Sequence, residues 1–467
     1  MKLKKLLCLV FALSMILAMM TACGGDKDEN SSTASAGGNS STTVSLGIDP
    51  DMTNVDDKYK NNWDPYAQIP ASSKGVTVRY ATWINQHEDI GGYTLANVKN
   101  DIGIGVELYM VEQDGYVNTI MTKIASGDIP DVFITNEGDG AFPNTIQIAA
   151  PINKVSSVDL GDPRWDKSFL DTATIEGNIY YLNTIGSPMA NGNMVFYNKR
   201  LFRENGFTTP AEYYEQGTWS WDTLLKCAKD IKSLGSEYKG IHIEMDILAG
   251  SVGASVTQYN FSTHTFSNGT GDPNLLKAYQ WYADAKEQNL LDGNLGAFKE
   301  GKCAIYVRGP YGLQTKGYFM DMDPEDIGYT WLPSFTEGEK GRISSIYGAH
   351  GIVVNAPNAD AAGYFLRYWM DYKNWDVENA FITTEAAQFF YDYTNCTAND
   401  KYFNFDDPLA TLIGESANTA FYKHINGVSS AGMKTALDSI SNTVDTAVAK
   451  GNELIANKIA ADREKYQ

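Results

Sequence analysis

The stretch "VNTIMTKIASGDIPDVFIT" (117–135) decides the reading of the fold. Apolar residues recur at helical spacing up to Ser126. Gly127 then offers the left-handed backbone that stops a helix, and Pro130 turns the chain. "DVFIT" follows, a short β-branched and aromatic run of the kind a buried strand needs. Working outward, "VTVRYATWI" (76–84) and "IGVELYMV" (104–111) read as two more strands, and "GYTLANVKND" (92–101) between them suits a helix. Strand, helix, strand, helix, strand at this spacing predicts a parallel α/β sheet.

Further along, "SWDTLLKCAKDIKSLG" (220–235) predicts a helix. Ser220 serves as N-cap, Asp222 favours the positive N-terminal end, and Gly235 is its expected stop. Trp221, Leu224, Leu225, Ala228 and Ile231 share one face. "ALDSISNTVDTAVAKG" (436–451) sets Leu437, Ile440, Val444, Ala447 and Val448 on one face and continues into a polar helical tail. No internal repeat is visible.

The chain has 467 residues, of which 43% are hydrophobic and 20% charged, a globular composition long enough for two lobes. Its formal charge of −20 repels phosphate backbones, so nucleic acid is not an expected partner. Aromatic residues make up 12%, including 28 Tyr and 9 Trp, a supply of flat rings for ligand faces as well as cores. The five cysteines (Cys8, Cys23, Cys227, Cys303, Cys396) form no CxxC and no zinc-like spacing with histidine. Cys227, Cys303 and Cys396 are expected to be unpaired thiols.

The N-terminus reads as a secretory signal over residues 1–22: a basic start at Lys2, Lys4 and Lys5, an apolar run from Leu6 to Met20, then Thr21-Ala22 before Cys23. A spanning helix needs roughly 20 apolar residues, so the run is short for a permanent span. "MTAC" resembles the lipobox of bacterial lipoproteins, which implies that Cys23 carries lipid. Residues 24–45 are rich in Ser, Thr, Gly and Asn, and the region 23–75 is expected to be the lipidated cysteine and a flexible linker.

No catalytic or metal motif is present. "DPDMTNVDD" (49–57) fails as a calcium loop, because Asn54 stands where a glycine is required and Lys60 where a bidentate glutamate is required. GxSxG, HExxH and Walker loops are absent, and the five histidines are scattered. No cofactor and no metal is expected, and the chain is read as not an enzyme.

Four stretches together resemble family 1 extracellular solute-binding proteins of ABC importers, the sugar-binding group that includes maltose-binding protein. "IASGDIPDVFI" (124–134) is similar to the family's helix-SG-x-x-PD-strand motif. "VFYNKRLFRENGF" with "TWSWDTLLKCAKDI" (195–231) is similar to its YNK-x-LF…TW-x-x-L stretch. "FKEGKCAIYVRGPYGL" (298–313) and the segment from "IGYTWLP" to "AGYFLRYW" (327–369) resemble two later ones. The order is the family's, from about Val76 to the C-terminus.

This resemblance implies a two-lobed periplasmic-binding-protein-like fold of type II, with discontinuous lobes, a hinge and a ligand cleft between them. The expected lobes are 76–193 with 346–395, and 194–345 with 396–467, with crossings near Asn191, Tyr347 and Cys396. Candidate ligand contacts carried over from the family are Trp83, Asn85, His87 and Glu88 in "WINQHED", and Glu137 and Asp139 in "TNEGDG". Asn191 falls where relatives place a cleft glutamate, and Tyr311 in "GPY" where they often place a stacking tryptophan. Tyr347 and His350 belong to "IYGAHG". Trp83 as a core ring, Asp139 as a turn residue and His350 as a structural histidine are the alternatives. The implied partners are a carbohydrate, most simply an oligosaccharide, the permease subunits of an ABC transporter, and a membrane reached through the lipid anchor. The implied place is the outer face of the bacterial cytoplasmic membrane, and the chain is expected to be a monomer. Capture of a peptide or polyamine, or a secreted glycoside-acting enzyme, remain as other readings.

Overall fold

The computed structural model describes Met52 and residues 55–60, 64–66, 69–83, 95–135, 138–184, 192–337, 339–345, 348–371, 381–394, 396, 400–415 and 421–466. Two four-stranded sheets organise them. In the first, β1 (Thr77–Thr82) lies parallel between β2 (Gly105–Met110) and β3 (Val132–Thr135). β13 (Ala349–Ile352) joins the far side of β3 antiparallel, pairing His350 with Ile134. β3 is buried along its whole length, whereas edge strand β2 is only part-covered. Each fully buried side chain of Val132, Phe133 or Ile134 contributes about 1.5–3 kcal/mol, which is why so short a strand holds its place.

The helix Tyr116–Ser126 ends as its sequence dictates. Gly127 takes φ 80°, and the N–H groups of Gly127 and Asp128 close back onto the carbonyls of Ile124 and Lys123. The helix Trp221–Lys232 begins with the expected Ser220 cap, reciprocated by Thr223. It stops at Lys232, three residues short of Gly235, because Ser233 and Leu234 turn their N–H groups onto Lys229 and Ile231.

Between the sheets in sequence stand two hairpin strands, β4 (Thr174–Ile175) and β5 (Asn178–Ile179). The second sheet has the order β11-β6-β10-β7. β6 (Met194–Asn198) pairs antiparallel with β10 (Cys303–Arg308) and β11 (Ile327–Thr330), and β7 (Lys239–His242) lies parallel to β10. A separate hairpin, β8 (Thr257–Asn260) and β9 (Thr265–Asn268), packs beside the long C-terminal helix Met433–Tyr466. β12 (Ile343–Ser345) pairs in parallel with β14 (Lys401–Phe403).

Two placements differ from expectation. Residues up to 75 were expected as linker, yet Val55, Tyr59 and Ile69 are buried. The Tyr59 hydroxyl donates to Asp159 (2.6 Å), and Tyr66 lies over the guanidinium of Arg164, 5.4 Å from its ring centre. Partners about 100 positions away leave no local pattern in a Ser/Asn/Asp-rich stretch. The second concerns the helix Thr384–Thr394, expected in the first lobe. Phe381, Phe390, Tyr391 and Tyr393 instead share a core with Met194, Phe196, Cys303 and Ile327 of the second sheet. Tyr393 stacks on Trp331 with 5.5 Å between centroids, and the Ile382 N–H donates to Leu313. The rings go where other rings leave room for them, and sequence distance does not show that.

Cys227 and Cys303 are buried and Cys396 half-buried, all three as free thiols. No described helix is long and apolar enough to cross a membrane. Cys23 lies outside the described residues.

Candidate functional site

In α/β sheets the ligand site gathers at the carboxyl ends of parallel strands. Trp83 directly follows β1. Its ring meets Tyr116 edge-on at 4.9 Å, and Tyr116 in turn donates to the carbonyl of Ala81 (2.8 Å) and accepts from the N–H of Ile134 (3.3 Å). One phenol therefore ties the ends of β1 and β3 and props the indole between them. Gly140 completes the seat, since a Cβ there would come within 2.6 Å of the Trp83 ring. Trp83 stays half-buried, with part of its surface free.

Asp139, expected to accept a ligand hydroxyl, has another task. The helix Tyr116–Ser126 has Gly115 at its N-cap and so no capping side chain of its own; Asp139 supplies one, accepting from the Val117 N–H at 3.1 Å. Burial, opposed by this bond, raises its pKa. His350 is corrected from a cleft residue to a core one. Its relative exposure is 0%, and its Nε2 lies 2.7 Å from the Tyr80 hydroxyl. Burial lowers its pKa to about 3 and keeps the ring neutral. Asn85, His87, Glu88, Glu137, Asn191 and Tyr347 lie outside the described residues.

On the second sheet, Tyr311 stands on the short turn Pro310–Leu313 just past β10. It is 44% exposed, a high value for a tyrosine braced on both sides. Its hydroxyl donates to the carbonyl of Lys316, and its ring meets Tyr318 edge-on at 5.2 Å. Such bracing removes rotamer freedom while leaving a ring face open.

Sequence reading missed the charged pair at the same edge. Arg308 ends β10 and Glu244 follows β7; the parallel register of the two strands brings them together at 2.8 Å, both part-exposed. Beneath them His242 stacks on Tyr306 at 4.5 Å. Asp246 lies two residues beyond Glu244. Burial, then the charges of Glu244 and Asp407, raise its pKa to about 7. The signal was present in "IHIEMD" (241–246), where strand alternation gives way to two carboxylates.

Asp246 yields a pH prediction. Its folded pKa lies above its unfolded value, so the native state binds more protons, and its contribution to stability falls as pH rises from about 4 to 7. The melting temperature of Asp246→Asn minus that of the parent should therefore climb across this window and level off above it. A flat difference between pH 4 and 8 would contradict the assignment.

Three segments of chain are hydrogen-bonded to one another just before β6. The backbone N–H and side-chain amide of Asn193 donate to the carbonyl of Ser344 (3.0 and 3.2 Å). Ser344 pairs with Tyr402 across β12 and β14, and the Asn404 N–H donates to Ser345. Tyr393 donates to the carbonyl of Asn193 at 2.9 Å. No group of His, Cys, Asp and Glu among the described residues could hold a metal ion.

The family model for bacterial extracellular solute-binding protein matches residues 85–388, more than half of the chain, and the chain belongs to that family. Its fold is that of the two-lobed periplasmic-binding-protein-like structures. The ABC transporter associated binding protein from B. animalis subsp. lactis Bl-04, solved in complex with beta-1,6-galactobiose, is 16% identical with a TM-score of 0.58, covering 80% of this chain and 98% of its own. The extracellular solute-binding protein from Staphylococcus aureus, in complex with maltose, is 13% identical with a TM-score of 0.53, covering 82% and 98%. The cyclic alpha-maltosyl-1,6-maltose binding protein from Arthrobacter globiformis is 13% identical with a TM-score of 0.52, covering 82% and 99%. No protein of curated function matches the chain.

Proposed function

We infer that this is an extracellular carbohydrate-binding lipoprotein that captures an oligosaccharide and delivers it to the permease of an ABC importer, without chemistry of its own. The observation that carries the reading is the composition of the two sheet edges. Sugars present apolar C–H faces and outward hydroxyls, so a site needs open rings beside mixed donors and acceptors. Trp83 and Tyr311 are rings braced from behind; Arg308 and Glu244 are a part-exposed donor and acceptor on the second edge. The solved relatives bound to galactobiose and maltose support the same class of ligand.

The two edges face one ligand in this reading, and the passages at Asn193, Ser344 and Asn404 form the hinge. The first lobe takes about 55–193 with 346–371, and the second takes 194–345 with the helix Thr384–Thr394; the C-terminal helix touches both. Closing such a hinge sequesters ligand and makes a surface that a permease distinguishes from the open one. Asn85, His87, Glu88, Glu137, Asn191 and Tyr347 remain proposed polar partners.

A thermal-shift screen against oligosaccharides, peptides and polyamines tests the class of ligand, because binding raises the melting temperature by mass action. A rise with polyamines or peptides alone would overturn the sugar reading, and release of reducing ends from a glycoside would restore the enzyme reading. With the sugar so found, Tyr311→Ala should weaken binding by about 1–3 kcal/mol in calorimetric titration while the empty protein melts as before. A sharp drop in the empty protein's melting temperature would make Tyr311 a core residue instead.

The anchor is tested separately. Cys23→Ala should release the protein from cells into the medium, since a single acyl chain binds membranes only marginally and lasting retention takes the two chains of a diacyl modification. Finding Cys23 as an unmodified thiol in protein purified from membranes would refute lipidation.

A further inference from the structure

The geometry points to a second ligand site, away from both sheet edges, that takes a small hydroxylated carboxylate of one sugar ring. It does not rest on the cleft reading. A cavity of about 180 Å³ opens between the β4–β5 hairpin and the last turns of the C-terminal helix. That is room for one hexose-sized ring and not for an oligosaccharide.

The walls are built. Tyr180 is fully buried at the base and donates to Asp462 at 2.6 Å; Lys458 donates to the other oxygen of Asp462 at 3.0 Å and lies 5.3 Å from the Tyr180 ring centre. Arg463 pairs with Glu176, which the hairpin turn holds at a positive φ of 48° beside Gly177 at 79°. A non-glycine residue at positive φ costs energy, and here it aims the carboxylate at the helix. The rim is thus fixed by a turn and by an ion pair rather than by a loose loop.

Two features select the ligand. Lys154 lines the cavity, and its ammonium has no ion-pair or hydrogen-bond partner among the described residues. Of the lining carboxylates, Glu176 is paired by Arg463 and Asp462 by Lys458 from behind the wall, so Lys154 is the one lining cation whose charge is left unanswered among the described residues. A monoanion answers that charge. Asn178, whose amide both donates and accepts, and Asp462, with lone pairs left after its two bonds, answer hydroxyl groups. Half-buried Tyr466 adds a ring to the lining. A carboxylate joined to a polyol fits this set; a neutral sugar leaves Lys154 unanswered.

Titration calorimetry of the detergent-solubilised full chain with D-glucuronate, and with D-glucose as its neutral counterpart, tests the proposal. Glucuronate should bind with glucose at least about tenfold weaker, and Lys154→Met should lose about tenfold or more, the scale of one charge-assisted hydrogen bond. Asn178→Ala should weaken binding as well, and Tyr311→Ala should leave it unchanged. Lys154 is exposed, so its variant should melt with the parent. No heat with glucuronate, equal binding of glucose, or an unaltered Lys154→Met would overturn the site. Loss in Tyr311→Ala with retention in Lys154→Met would assign the binding to the sheet-edge cleft and overturn it equally.

Discussion

Asp162→Ala should lower the free energy of unfolding by about 3–5 kcal/mol, the cost of breaking a buried ion pair from one side. Asp162 is 1% exposed. It accepts from Arg164 through Nε (3.0 Å) and Nη2 (2.6 Å), and from Arg367 through Nε (3.2 Å). Arg164 also pairs with Asp371 and donates to the Tyr66 hydroxyl at 2.8 Å. Two cations and two carboxylates balance in this network, and it joins the loop before Trp165, the helix Ala359–Trp369 and the N-terminal segment around Tyr66. Removing Asp162 takes away the carboxylate that both guanidinium groups share, in a place where water cannot screen them. Urea titration at neutral pH measures the loss. A change under about 1 kcal/mol would mean that the network is solvated and worth no more than a surface pair.

Phe390→Ala should cost about 3–5 kcal/mol as well, by a different route: lost transfer energy plus the cavity left among neighbouring rings. Phe390 is 1% exposed and lies 5.0 Å from Phe381, centre to centre. Where the damage falls matters more than its size. Phe390 shares its core with Met194, Phe196 and Tyr306, so hydrogen exchange should quicken first at the amides of β6 and β10. Preferential exchange at β1 and β3 would return this helix to the first lobe. Replacing Phe390 with Leu, which fills most of the space, should recover most of the stability.

The local pieces were legible in the sequence. The 117–135 stretch specifies its own helix, its stop at Gly127 and its buried strand, because 3.6-residue periodicity, a left-handed glycine and a β-branched run each act within a few residues. The alternation of strands and helices then makes β1, β2 and β3 parallel, whereas β13 joins them antiparallel from far along the chain. The order of four motifs led to the solute-binding family, which the match over 85–388 shows. The signal-like start and Cys23 are a linear pattern too, and their reading as a lipid anchor stays a proposal for the Cys23→Ala test to decide.

What the tertiary structure decided are the contacts between segments far apart in sequence. The same Asp139 that reads as a ligand acceptor becomes a helix cap, because Gly115 brings no side chain and β3 ends within reach of Val117. His350 becomes a core residue because antiparallel pairing with β3 sets it against Tyr80, 270 positions earlier. Arg308 meets Glu244 only through the register of β10 on β7, and Tyr59 finds Asp159 only once the chain between them has folded. A side chain's local pattern says which face it occupies, but long-range packing chooses what that face meets, and with it whether a polar group caps, pairs or is left open to a ligand.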